Sequence, residues 1–469
     1  MEKFLNPESV ALIGVPSRTG VGAYNNLEML LRFGYKGRIY PVNPKVKELC
    51  GLKCYSNVNE IPDVPELAVI SVGRDRVMDV LLRCVEMKIR RFVIITQGFA
   101  DADEQGRRLQ KSFSELARAR NVKIVGPNTI GIYNAFTGFT TAFVELKRPS
   151  QPPPVTVVTQ TGVIHGAVDS FCEDGLGKAI DLGNMCDVDF VDVLEYLEHD
   201  PQTKVIALHM EGMKRGKEFV DIARRVSRRK PILVLKTGRS KLGAKAVLSH
   251  TGSLVGEDVL FDAAFERAGL LRVMDTMGFK DGIKALLHLP PMRGNRIAVI
   301  TTTGAVGIMA ADIAEELNLT FAKLPPSLPE LILRGTPGWI QLNNPVDIWP
   351  IGMIRGKFME TYETTLRELV RSPDVDGVVG VAIATKSRIH ADLDLVERVG
   401  RIQAESGYKK PVAFWLYMDD VARASKRFEG IRGVACFPSI ERAIKALYFC
   451  YRYHILSSQA GPVTRGTRA

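Results

Sequence analysis

No stretch of this 469-residue chain approaches the ~18 consecutive apolar residues that a bilayer-spanning helix needs, which sets aside a membrane-embedded class. The opening residues, "MEKFLNPESVALIGV", have no positive region leading into an apolar stretch and cleavage site, so the expectation is no secretory leader and a cytoplasmic location. Cysteine is scarce and scattered. The seven are odd in number, with Cys50 and Cys54 the only close pair, which speaks against a disulfide framework and for a reducing compartment. No second Cys or His pair stands at zinc spacing, so no metal site is expected. The net charge of +11 is spread without a long basic run or an RNA-binding signature. Nucleic acid is therefore not an expected partner, and phosphate-bearing small molecules explain the charge as well.

With 46% hydrophobic and 25% charged residues the composition is globular, and the length predicts about three domains at roughly 150 residues each. "SVALIGV" reads as a buried strand, "PSRTGVG" as a glycine-containing turn, and "AYNNLEMLLRFGY" as a helix by its apolar spacing. Val- and Ile-rich runs then alternate with helical stretches through "VKIVGPNTIGIYN", the pattern of a parallel sheet with helices on both faces. This unit ends near residue 145, and "LKRPSQPPP" forms a stiff linker.

Beyond the linker the sequence repeats itself. "PVTVVTQTGVIHGAVDSF" from residue 154 and "RIAVITTTGAVGIMAADI" from residue 296 share a strand, a Thr-x-Thr-Gly turn and a helix start. "KPILVLKTGRS" is answered by "KPVAFWLYMDD", and Ile283–Leu286 spell the same four letters as Ile444–Leu447. Two similar α/β domains in tandem follow from three matches in one order. Pro231 and Pro411 stand 180 positions apart, but Ile283 and Ile444 only 161, so the first copy holds 19 extra residues. His250 lies in that extra loop, within "AKAVLSHTGSLVGED". An inserted loop that the sister domain lacks is a place for chemistry rather than for folding.

Three turns invite anions. Gly14, Gly20 and Gly22 occupy a strand-to-helix turn whose amides can receive a phosphate. The spacing departs from the dinucleotide fingerprint, and the second strand ends on Lys45 instead of an acid, which argues against a nicotinamide cofactor. The turns at Thr159–Gly162 and Thr301–Gly304 offer hydroxyls and free amides ahead of a helix. His250, ringed by small hydroxyl and glycine residues, suits a nucleophile or general base, and Glu211, at the end of the strand "VIALHME", is the best-placed carboxylate to orient it. His165 follows the first turn and could line a site; His209 reads as structural.

Together "SVALIGVPSRTGVG", "GRIYPVNPK", "VGPNTIGIYN", "TQTGVIHGA", "DLGNMCDVDFVDVLEYLEHDPQTKVIALHMEGM" and "LSHTGSLVGEDVLFDAAFERAGLLRV" resemble the α subunit of the NDP-forming acyl-CoA synthetases, of which ADP-forming acetate–CoA ligase is a familiar member and the succinyl-CoA ligase α chain a relative. The resemblance runs from about residue 5 to 455. It implies an α/β protein with a Rossmann-like CoA-binding domain over 1–146, a flavodoxin-like domain carrying a phosphohistidine over 147–290, and a second flavodoxin-like domain over 291–469. It implies that an acyl phosphate, made from acyl-CoA and phosphate, phosphorylates His250, which then passes the group to ADP. By the same carry-over Glu211 orients His250; Thr159, Gln160, Thr161, Gly162, Thr251 and Gly252 receive the phosphate; and Gly14, Ser17, Arg18, Thr19, Gly20, Lys45, Gln97 and Asn128 contact CoA. Nucleotide, ADP or ATP with Mg, would sit on a partner β subunit of ATP-grasp fold in an α2β2 assembly, since no such module is visible here. The family's "S-Q-S-G" stands as "TQTG", its third-domain glycine-rich turn as "TTTGAVG", and its "GPN-C" as "GPNT" at Thr129, which makes the acyl pocket distinctive. A CoA- or acyl-CoA-binding protein that kept the scaffold without its chemistry is the rival expectation.

Overall fold

A computed structural model describes residues 1–251 and 257–458, apart from the side chains of 248–251 and 391–392. The chain forms two compact units, Met1–Lys280 and Asp281–Ala469.

The first unit contains two sheets. One is built from β1 (Ser9–Ile13), β2 (Arg38–Val42), β5 (Leu67–Ile70), β6 (Arg91–Ile94) and β7 (Lys123–Val125), with a small hairpin, β3 (Glu48–Leu49) and β4 (Leu52–Lys53), beside it. The strand order is β2-β1-β5-β6-β7, all parallel. Every residue of β1 and β5 is buried, which is why "SVALI" and "LAVI" are unbroken apolar runs instead of alternating ones. The chain leaves β1 for β2 on one side and returns to β5 on the other. Such a reversal opens a crevice at the carboxyl ends of the strands, where doubly wound sheets bind ligands.

The second sheet takes β8 (Ile132–Asn134), β9 (Phe139–Thr140), β10 (Val155–Thr159), β11 (Lys178–Asp181), β12 (Val205–Met210), β13 (Ile232–Lys236) and β14 (Leu271–Val273) in the order β14-β13-β12-β10-β11-β8-β9. Residues 132–140, which the sequence pattern groups with the opening unit, pair here, β8 running antiparallel to β11. Periodicity reports a strand but not its partner. Arg148 in the proline-rich stretch donates to the Ala135 carbonyl at 2.7 Å, so that segment is pinned to the unit.

In the second unit, β15 (Arg296–Thr301), β16 (Thr320–Phe321), β18 (Gly377–Ile383), β19 (Val412–Tyr417) and β20 (Val434–Phe437) run in the order β16-β15-β18-β19-β20, with the short β17 (Val346–Asp347) also on β15. Its path matches β11-β10-β12-β13-β14 of the second sheet, so the tandem repeat in the sequence is a repeat in space. The Thr-x-Thr-Gly turns match bond for bond. The Thr161 amide donates to Thr159 Oγ1 at 3.0 Å, and the Thr303 amide to Thr301 Oγ1 at 3.1 Å.

The copies differ between their fourth and fifth strands. One helix, Val421–Glu429, joins β19 to β20, whereas two, Lys241–Thr251 and Asp258–Ala268, lie between β13 and β14. Ser240 starts the extra helix by accepting the Gly243 amide on its hydroxyl at 3.1 Å. His250 and Thr251 are therefore in the last turn of a helix, a correction to the loop expected from the sequence. The run "KLGAKAVL" supplies good helix formers, and they outweigh the glycine.

Candidate active site

The crevice between β1 and β5 is shaped by one buried side chain. Asn25 accepts the Leu27 amide at 2.9 Å, capping the helix Asn26–Phe33, and donates to the carbonyls of Pro16 and Arg18 at 3.0 and 2.8 Å. This holds Ser17, Arg18 and Thr19 in an open loop around a cavity of about 400 Å³. Gly20 offers less than expected, because its amide already donates to the Glu28 carboxylate at 2.7 Å. Gly14 has φ +86° and a Cβ there would lie 2.7 Å from the Ser71 carbonyl oxygen, so only glycine lets β1 and β5 approach at this end.

Next to the loop lies a cavity of about 460 Å³, lined among others by Gly14, Ser17, Asn43, Lys45, Arg76 and Arg83. Arg83 is paired with Asp79 at 3.1 Å, while among the described residues neither Lys45 nor Arg76 has a carboxylate partner. Two cations without a carboxylate partner beside glycine and hydroxyl groups have the chemistry to receive an anion. Arg76, at a short helical turn, was not distinguishable in the sequence from any surface arginine.

A further cavity of about 580 Å³ gathers Gln97, Asn128, Thr129, Ile130, Phe143, Gly162 and Asp181. It brings the predicted Gln97 and Asn128 together with the first Thr-Gly turn. The "GPN" and "DLGN" motifs meet at its floor: Asn128 donates to Asn184 Oδ1 at 3.4 Å, and Asn184 donates to Asp101 and Gln110 at 2.7 and 2.9 Å. Asp181 is a carboxyl that sequence reasoning missed. It accepts the Ile130 and Gly183 amides at 2.9 and 3.2 Å, yet burial raises it to about 6, with the charge of Glu211 adding to the rise.

In the second sheet the chain reverses between β10 and β12, and two of the predicted residues, Gln160 and Glu211, meet there. Gln160 and Glu211, both buried, follow the two strands. Gln160 Oε1 accepts the main-chain amides of Glu211 and Gly212 at 2.7 and 3.1 Å, stitching the crevice across. His209 spans three strand ends: Nδ1 lies 3.4 Å from Thr159 Oγ1, and Nε2 lies 3.3 Å from Thr237 Oγ1. It thus links the Thr-Gly turn to the loop that leads into the helix of His250. Lys236, at the end of β13, stacks over Phe261 at 4.6 Å, and burial lowers it to about 8. His165 is buried, and burial lowers its ring to about 4. The side chains of His250 and Thr251, and Gly252 altogether, lie outside the described residues.

In the second unit, Thr302 stands where the first copy has Gln160, and its hydroxyl meets Tyr417 Oη at 2.8 Å. All seven cysteines are free thiols. Among the described residues no cluster of three or more His, Cys, Asp or Glu could hold a metal, and no helix is long and apolar enough to cross a membrane.

Comparison with known proteins finds three family matches along the chain. Residues 8–135 match the family described as CoA binding domain, 152–286 the succinyl-CoA ligase like flavodoxin domain, and 297–459 the ligase-CoA domain. The α subunit of Acetate–CoA ligase [ADP-forming] I from Pyrococcus furiosus is 34% identical over 97% of both chains, and the α subunit of its isoform II is 32% identical over 96% of both. Acetate–CoA ligase [ADP-forming] II from Archaeoglobus fulgidus is 33% identical over 94% of this chain but only 65% of its own length. The solved structure of a dinucleotide-forming acetyl-coenzyme A synthetase 1 from Ca. Korarchaeum cryptofilum, in complex with phosphate and ADP, superposes with a TM-score of 0.85 at 30% identity, covering 98% of each chain.

Proposed function

The chain belongs to the family of ADP-forming acetate–CoA ligase α subunits, and from this we propose that it is the α half of an acyl-CoA synthetase that converts acyl-CoA, ADP and phosphate reversibly into a carboxylic acid, CoA and ATP. The observation that carries the proposal is the crevice between β10 and β12, where Gln160 joins the Thr-Gly turn to Glu211, in the copy of the repeat that holds an additional helix. Relatives at 32–34% identity over nearly the whole chain carry enzyme names, which sets this reading above a CoA-binding protein without chemistry.

The proposed route has three steps. A phosphate oxygen attacks the thioester carbonyl, the C–S bond breaks, and CoA leaves as thiolate. A neutral ring nitrogen of His250 then attacks phosphorus and the carboxylate leaves with the bridging oxygen. Finally an oxygen of ADP takes the phosphoryl group from nitrogen. Glu211 would hold the other ring nitrogen and thereby the tautomer. Thr159, Gln160, Thr161 and Gly162, with Thr251 and Gly252, would supply donors to the phosphoryl oxygens, an electrostatic role that needs no reorganisation during transfer. The open loop with Ser17, Arg18, Thr19 and Gly20, and the cavity with Gly14 and Lys45, would take the anionic end of CoA; Gln97 and Asn128 would line the way to the thioester. Thr129, Phe143 and Asp181 give that inner cavity its own character.

We assign the nucleotide with Mg to a separate β subunit of ATP-grasp fold in an α2β2 assembly, in the cytoplasm, and divide the α chain at 1–146, 147–290 and 291–469. The α-subunit names of the relatives and the third of the Archaeoglobus protein that this chain does not span support a missing half. The test is ATP formation from ADP, phosphate and a panel of acyl-CoAs by the chain co-purified with a candidate β subunit. The reading expects ATP with at least one small acyl-CoA, and none when either subunit is omitted. CoA binding without ATP formation across the panel would favour the binder.

A further inference from the structure

The polar lining of the inner cavity, about 580 Å³, is largely spent on the protein itself. Ser71 donates its hydroxyl to the Ile13 carbonyl at 3.2 Å, and Thr96 donates to the Val72 carbonyl at 2.7 Å. Thr129 gives its one hydroxyl proton to the Asp181 carbonyl and accepts the Gly131 amide at 2.7 Å. Asn128 donates to Asn184 Oδ1 at 3.4 Å, and Arg74 is held by Asp103 and the Gly98 carbonyl at 2.8 and 2.9 Å. These groups meet one another's needs before any ligand arrives.

Asp181 is different. Among the described residues that line the cavity it is the one carboxylate, and it is 1% exposed. A carboxylate has about four acceptor positions. The Ile130 and Gly183 amides use one on each oxygen, at 2.9 and 3.2 Å. Burial raises the carboxyl to about 6, so at neutral pH it is mainly ionised and can only accept. Val72, Ile95, Ile130 and Phe143 make the surrounding wall apolar.

A group reaching this corner therefore meets a spare acceptor in a place poor in water. An alkyl chain leaves that acceptor without water and without a donor, which is costly. A second carboxylate brings like charge into the same space. A hydroxyl offers the donor that is missing. We infer that Asp181 makes the cavity select acyl groups carrying a hydroxyl, which donates to its carboxylate, over alkyl acyl groups of the same length and over acyl groups that end in a carboxylate. The inference rests on the reading above that Gln97 and Asn128 line the way to the thioester, and adds the substrate class to it.

Binding to the full-length chain, without phosphate or nucleotide, is measured by calorimetry for matched pairs: 3-hydroxybutyryl-CoA against butyryl-CoA, and 3-hydroxypropionyl-CoA against propionyl-CoA. In at least one pair the hydroxy member is expected to bind about tenfold tighter or more, because a site built around a substrate hydroxyl rejects the analogue that lacks it. Succinyl-CoA is expected to bind about tenfold more weakly than butyryl-CoA or worse. Asp181→Ala should erase the hydroxy preference, and Asp181→Asn, which removes the charge and keeps the shape, should bring succinyl-CoA level with butyryl-CoA. Each ratio compares two ligands on one preparation, so partial unfolding of a variant does not alter it, and the wild-type ratios stand by themselves. No hydroxy preference in either pair, succinyl-CoA binding as tightly as butyryl-CoA, or a hydroxy preference kept in Asp181→Ala would overturn the inference. ATP formation from the same acyl-CoAs with the partner subunit separates the two failures. Turnover without hydroxy preference overturns only the role of Asp181, whereas hydroxy-selective binding with no ATP from any of them overturns the synthetase reading.

Discussion

The carbonyl oxygen of Pro127 lies 2.3 Å from where a Cβ on Gly183 would stand. Gly183 also has φ +52°, and the Asn128 carbonyl oxygen would be only 2.5 Å from the same Cβ. The contact seats "DLGN" on "GPN" and so sets the floor of the cavity that holds Gln97, Asn128 and Gly162. Gly183→Ala must shift backbone against backbone, and the expected cost is about 3 kcal/mol from overpacking and unfavourable φ combined. Thermal unfolding measures it, and CoA affinity should fall in the same variant. A melting temperature within a degree of wild type would contradict this packing.

Lys45 and Arg76 predict a binding defect without a chemical one. Both line the cavity beside the CoA loop and neither is neutralised by a carboxylate among the described residues. Lys45→Ala and Arg76→Ala should each raise the KM for CoA about tenfold, equivalent to about 1.4 kcal/mol, and leave kcat near wild type. The defect should shrink as salt is added, because screening already weakens the wild-type attraction. Steady-state kinetics at two ionic strengths test this; a fall in kcat at constant KM would place these residues in the chemistry instead.

His165 and Asp181 carry opposite pH dependences. Burial lowers His165 from 6.5 to about 4, so the unfolded chain binds more protons in that window, and the stability present above pH 6.5 is lost as pH falls towards 4. Burial raises Asp181 from 3.8 to about 6, so the folded chain binds more protons, and stability is lost as pH rises through that window. Each is worth about 3 kcal/mol, and in the wild type they nearly cancel. Denaturant titrations between pH 7 and 4 should therefore show His165→Gln gaining about 3 kcal/mol relative to wild type on acidification and Asp181→Asn losing about as much. Parallel pH profiles for all three proteins would refute the assignment.

Much of this was legible in the chain before folding. The repeat at "PVTVVTQTG" and "RIAVITTTG", with its 19-residue surplus, located the tandem domains and the segment that the first copy adds, although that segment reads as a loop in the sequence and folds as a helix. Glu211 and Gln160 were named from strand ends, where doubly wound sheets keep their ligands. What escaped was whatever depends on partners distant in sequence. The antiparallel pairing of β8 with β11 joins segments that no periodicity links. Asp181 looked like one more acid at a strand end until Ile130 and Gly183 closed on it. His209 looked like core because its two threonine neighbours lie 50 residues before it and 28 after it.

The most direct test of the account is the intact mass of the full-length chain after incubation with acetyl-CoA and phosphate, followed by mapping of any modified peptide. The account predicts a gain of one phosphoryl group on the peptide containing His250, lost in acid, retained in base, discharged by ADP when the partner subunit is added, and absent in His250→Asn. No gain in the wild type with the partner subunit present, or the same gain in His250→Asn, would contradict it.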